Sequence, residues 1–156
     1  MKKKILIAID DSENAMRAVE FVATTFTPDH EVTLFSVIPD TMAICEMNSP
    51  ELIPYFQAQQ ESFCLLEDQK RKLMGNSLEK AKSLLIKAGF DEEALAVMAN
   101  PKKQGIARDI AEEAGKGYSM VVMGRRGLSG IKEFLMGSVS QKVLHLTKNT
   151  SVLLVN

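Results

Sequence analysis

The sequence predicts a doubly wound α/β domain: five parallel strands in the order 3-2-1-4-5, with helices on both faces. One observation is global. Short apolar runs alternate with longer segments of helical periodicity from end to end, and such alternation implies right-handed crossovers onto a parallel sheet. The other is local. Behind the apolar run Met120 to Met123 the chain sets glycines at 124, 127 and 137 and a serine at 138, in the spacing G-x2-G-x9-G-S. Strand, glycine turn and helix start in that order make a cradle for an anion, because glycine lets backbone N–H groups approach a ligand and the helix adds unpaired donors. At 156 residues the chain is expected to form one domain, 1-156, around one core.

The elements follow in order. Ile5-Leu6-Ile7-Ala8-Ile9 is continuous and β-branched, as in a strand buried on both faces. Glu13 to Thr25 carries Ala15, Ala18, Val19 and Val22, with Phe26 beyond, at helical spacing, and Asp11-Ser12 stand where a cap belongs. Glu31 to Ile38 is strand two, ended by Pro39. From Asp40 to Ala88 no strand is clear: Ser49-Pro50-Glu51 reads as a helix start, and Leu78, Ala81, Leu85 and Ala88 mark a helix closed by Gly89. Residues 40–76, with a charged run from Glu67 to Lys72, are expected to be a long connection anchored on the sheet by its apolar residues, the other reading being a lid or partner surface. Ala94 to Ala99 is strand three, and Lys102 to Gly115 a helix with Ile106, Ile110 and Ala114 inward. Strand four is Met120 to Met123. Ser138 to Thr147 is the last helix, and Ser151 to Val155 the last strand.

Several function classes are disfavoured. With 19 basic and 20 acidic residues the net charge is −1, whereas a sequence-independent nucleic-acid binder needs a basic excess. No apolar stretch approaches a membrane span, and the run after the N-terminal lysines is too short for a secretion signal. Cys45 and Cys64 read as isolated, inert apolar fillers in a reduced, cytoplasmic protein. His30 and His145 read as surface residues without metal or acid–base spacing.

In an open sheet of this order, ligands bind beyond the carboxyl ends of strands one and four, where strand order reverses. Asp10 and Gly124 then face one crevice. A carboxylate repels phosphate, so Asp10 suits the base or ribose end of a nucleotide, while Arg125, Arg126 and Lys132 are placed to neutralise phosphate charge. The P-loop pattern and the G-x-G-x-x-G fingerprint are absent. A phosphoacceptor receiver needs an aspartate closing strand three, which instead ends Ala99-Asn100-Pro101. Blander readings stay open: the glycines serving turns, Asp10 or Ser138 capping a helix, the arginines solvated.

These residues resemble the universal stress proteins, in their ATP-binding branch. The resemblance rests on Ile5 to Asp10 with Ser12, on Ser36-Val37, and above all on Gly124, Gly127, Gly137 and Ser138. It implies adenine against Ala8, Ile9, Asp10 and Val37, and ribose near Asp10 and Gly124. Phosphates would lie on Gly127, Gly137, Ser138, Val139 and Ser140, with Met123 and Arg126 completing the site. The ligand would be ATP, or AMP or ADP, with Mg or Mn held through the phosphates and no metal ligands from the protein. It also implies a homodimer through antiparallel pairing of Ser151 to Val155, and neither nucleic acid nor membrane as partner. Two positions depart from the pattern: strand four opens Tyr118-Ser119-Met120 where an aspartate is common, and Arg126 stands where histidine is frequent. The implied function is a cytoplasmic, nucleotide-dependent dimeric switch. The alternatives are a weak ATP-hydrolysing or phosphoryl-transferring enzyme, with turnover slow because Glu133 is the loop's only acid or histidine, and a nucleotide-free dimeric scaffold.

Overall fold

The computed structural model describes residues 2–46, 54–126 and 136–156, with the backbone alone for Met42, Ala43, Pro54 and Tyr55. Its five strands are β1 (Lys4–Ala8), β2 (Glu31–Ile38), β3 (Leu95–Pro101), β4 (Met120–Gly124) and β5 (Ser151–Val155). They pair in parallel throughout, in the predicted order β3-β2-β1-β4-β5. The helices are α1 (Glu13–Thr25), α2 (Met42–Cys45), α3 (Pro54–Lys87), α4 (Ile106–Ala114) and α5 (Ser138–Leu146). Because strand side chains alternate in direction, Ile5, Ile7 and Ile9 meet Ala18, Val19 and Val22 of α1 and Leu78, Ala81 and Leu85 of α3 on one face. On the other face Leu6 and Ala8 join Ala107 and Ile110 of α4 and Val143 of α5. With both faces covered, β1 reads as an uninterrupted apolar run.

Side-chain hydrogen bonds to the backbone shape two helix starts, one of them as a cap. Ser12 is the N-cap of α1, its Oγ accepting from the Ala15 N–H at 3.2 Å. The sequence predicts α4 from Lys102, yet it begins at Ile106. The buried carboxylate of Asp109 reaches back and accepts from the Lys103 N–H at 2.8 Å and the Gln104 N–H at 3.0 Å, holding those residues in a loop. Gly105, at φ 132°, makes the turn into the helix with backbone angles that side-chain-bearing residues rarely adopt. Burial works against the charged form of Asp109, and the N–H groups of Lys103, Gln104 and Gly105 outweigh it, so the carboxyl sits below its ordinary range.

The largest departure from expectation is α3. In place of a long connection after residue 54, one helix of 34 residues runs from Pro54 to Lys87. Its final turns pack on α1 and the sheet, whereas nearer its start Phe63, Leu65, Leu66 and Leu73 are exposed. A helix whose first half leaves most of its large apolar side chains exposed does not display a continuous inward stripe, and so its periodicity is weak in the sequence. The Ser49-Pro50-Glu51 start lies outside the described residues. Cys45 and Cys64 are not inert fillers: they form a disulfide, S–S 2.03 Å, that ties α2 to α3. Their separation of 19 residues gave no hint, since one helix's partner in space is invisible to spacing. His30 is less superficial than expected, its side chain 13 % exposed, against Asp29 at 3.1 Å and edge-on to Phe26.

Candidate functional site

A cleft of about 430 Å³ opens at the carboxyl ends of β1, β2 and β4, within the size range of small-molecule sites. Ala8, Ile9 and Asp10 come from the end of β1, Val37 from β2, Met123 and Gly124 from β4, Arg126 from just beyond it, and Gly137, Ser138, Val139 and Ser140 from the start of α5. The fold thus brings every described residue of the predicted site into one cavity. Gly127, like Lys132 and Glu133, lies outside the described residues. Arg125 is not in the lining; its backbone does the local work, its N–H donating to the Val155 carbonyl at 2.7 Å and its carbonyl accepting from Gly137 at 2.9 Å. That second bond pins together the two ends of the segment between β4 and α5.

The polar geometry is asymmetric. Asp10 accepts from the Ser12 N–H at 2.9 Å and from the Ser12 hydroxyl, so it braces the start of α1 while lining the cleft. On the α5 side, the first intrahelical bond is Gln141 N–H to the Gly137 carbonyl at 3.0 Å. The N–H groups of Ser138, Val139 and Ser140 precede it and have no partner within the helix, the ordinary state of a first turn and a positive pole for anions. The Ser140 hydroxyl donates to the Gly124 carbonyl at 2.9 Å and locks α5 to the end of β4. Gly124 has a packing reason besides its cleft position: a β-carbon there would lie 2.8 Å from Asn14 in the first turn of α1. The Arg126 Nε–H is buried and has no acceptor among the described residues.

Among the lining residues that the sequence reading did not assign to the site are three from α3: Lys70, Arg71 and Met74. Their signal is the charged run at 67–72, which carries no periodicity that would tell a cleft wall from a solvated surface. Lys70 is drawn to Glu67 at 3.0 Å, and an Arg71 guanidinium nitrogen donates to the Pro39 carbonyl at 3.4 Å. Ile106 and Ile110 of α4 complete the apolar side. Among the described residues no three His, Cys, Asp or Glu side chains come together as a metal site, and no helix is long and apolar enough to cross a membrane.

A parallel 3-2-1-4-5 sheet with its cleft between the ends of β1 and β4 defines a doubly wound α/β protein of the switch-point class. Within that class the chain belongs to the universal stress protein family, which matches it over residues 1–156. Universal stress protein YxiE of Bacillus subtilis is 30% identical over 149 residues, covering 94% of this chain and 95% of the relative. Universal stress protein MJ0577 of Methanocaldococcus jannaschii is 30% identical over 159 residues, covering 99% and 95%. The solved structure of MJ0577 superposes with a TM-score of 0.71 at 26% identity, covering 99% of this chain and 96% of that one. A universal stress protein crystallised in complex with cAMP shares the fold at 18% identity, with a TM-score of 0.64 and coverage of 99% and 97%.

Proposed function

We propose that the chain is an ATP-binding regulatory protein whose nucleotide occupancy alters a homodimer. The observation that carries the reading is the cleft's division of labour. Ala8, Ile9, Val37 and Met123 supply apolar lining, while the first-turn N–H groups of α5, unpaired within the helix, stand with Arg126, whose buried Nε–H has no acceptor among the described residues. A purine nucleoside suits the apolar lining and a phosphate chain suits the donors. Gly137, Ser138, Val139, Ser140 and Arg126 would hold the phosphates, Asp10 would face the ribose, and AMP or ADP would occupy the same groups less fully. Mg or Mn would be carried on the phosphate oxygens. Asp10 is engaged by Ser12, so it is poorly free to direct a water at the terminal phosphate, and turnover is expected to be slow.

The dimer reading rests on β5. It is an edge strand, its outer backbone groups unpaired within the sheet, and antiparallel pairing with a second copy would satisfy them about a two-fold axis. Titration calorimetry with ATP, AMP and GTP tests the ligand, and light scattering at tens of micromolar, with and without ATP, tests the switch. Heat with the adenine nucleotides, and a dimer whose size or stability responds to ATP, are expected. Absence of heat and of thermal shift with every nucleotide at millimolar concentration overturns the ligand; a monomer in both conditions overturns the dimer.

A further inference from the structure

The wall that α3 adds to the cleft carries its chemistry at Arg71. One guanidinium nitrogen reaches the Pro39 carbonyl at 3.4 Å, the long limit of a hydrogen bond. The Nε–H is shut away from solvent with no acceptor among the described residues. A buried guanidinium donor in that state is unfavourable until something supplies a lone pair. Glu67, one turn earlier, sets one carboxylate oxygen on Lys70 and keeps the other buried, with no partner, Arg71 included, among the described residues. The rim beyond β2 therefore presents a donor, Arg71, beside an acceptor, the Pro39 carbonyl.

Position says which part of a ligand this pair meets. β2 and β4 are separated by β1 alone, so Arg71 and Arg126 stand near strand ends two spacings apart, roughly 10 Å. A nucleotide whose phosphates lie at Arg126 brings its base to the β2 rim. An adenine edge offers the 6-amino donor beside a ring-nitrogen acceptor, N1 or N7, which matches acceptor and donor on the protein. On the N7 edge guanine offers two acceptors and would set O6 against the Pro39 carbonyl. Resting on the nucleotide reading above, we propose that Arg71 reads the base: its Nε–H donates to the ring nitrogen beside the 6-amino group, and the Pro39 carbonyl accepts from that amino group.

The test is a cycle of analogues and variants read by calorimetry. Wild-type protein should bind one of 7-deaza-ATP and 1-deaza-ATP about tenfold more weakly than ATP, the scale of one hydrogen bond to a charged donor. In Arg71→Gln that penalty should vanish, and adenosine and ATP should weaken by a common factor, because the lost contact is at the base. Two results overturn the proposal while leaving ATP binding intact: both deaza analogues binding wild type as ATP does, or the penalty persisting in Arg71→Gln. No ATP binding by wild type overturns this proposal together with the nucleotide reading. If Arg71→Gln fails to fold, Arg71→Met, which keeps the apolar stem, takes its place in the same comparison, and a merely structural role for Arg71 would not make an analogue penalty disappear.

Discussion

The crossovers through α3 and α4 cover opposite faces of the same sheet in contrasting ways. α4 is nine residues long and buries Ala107, Asp109, Ile110, Glu113 and Ala114 along one side, so that nearly every turn is held by packing. α3 is 34 residues long and is held by packing chiefly toward its end, through Leu78, Ala81 and Leu85; nearer its start the disulfide to Cys45 is the covalent tie. A helix need not be secured along its whole length to reach a site. α3 is anchored behind Arg71 by the core and ahead of it by a cross-link, and it presents Arg71 to the cleft between the two.

The contrast can be broken first at the core. Leu85 is fully buried against the sheet face shared with α1. Leu85→Ala should cost about 2–5 kcal/mol in urea unfolding, from lost transfer energy plus the cavity. Leu66→Ala, at a position 57 % exposed, should stay within about 0.5 kcal/mol. Equal costs at the two sites would mean that the start of α3 is packed after all.

Next comes the cross-link. Opening a loop of this length removes at most about 3 kcal/mol of constraint on the unfolded chain. The sharper readout is local: in Cys45→Ser/Cys64→Ser, amide hydrogens of 56–66 should exchange faster while those of 78–87 keep their protection. Uniform acceleration along α3 would show that the bridge supports the whole helix.

The smallest effect tests the start of α4. Asp109→Asn should cost about 2 kcal/mol at neutral pH, where charge-assisted bonds to the loop N–H groups are lost. Because the folded carboxyl is held below its ordinary value, its contribution is complete above the unfolded value near pH 4 and is lost as pH falls through the folded value. Denaturation curves of the two proteins should therefore converge as pH drops below about 4. A gap independent of pH would mean the asparagine amide replaces the loop contacts without regard to charge.

The same contrast explains what could be read from residues alone. Strand order and α1 were legible because Ile5 to Ile9 and Ala15 to Val22 meet neighbours continuously, and burial stamps its period on the sequence. Of the cleft residues, Gly124 and Gly137 were marked by a glycine spacing that serves a turn or an anion, whereas Ala8, Ile9, Val37 and Ser140 were named only through resemblance to a family. The boundary of α4 was not legible, since a carboxylate reaching back to residues 103 and 104 is a tertiary bond in local disguise. Nor was the Cys45–Cys64 pairing, nor the cleft-facing role of Lys70, Arg71 and Met74: each depends on where a half-exposed helix lies, which no pattern along it encodes.

The bridge also changes what a broken chain would be. Cys45 and Cys64 enclose part of the connection between β2 and α3 in a covalent ring, so one proteolytic nick anywhere between them leaves a two-piece protein still joined through sulfur. Such a product would migrate on a denaturing gel as a single species under non-reducing conditions and separate into two fragments once a thiol is added. Continuity of the backbone and integrity of the molecule thus become separate properties, and the second is set by the redox state of the surroundings.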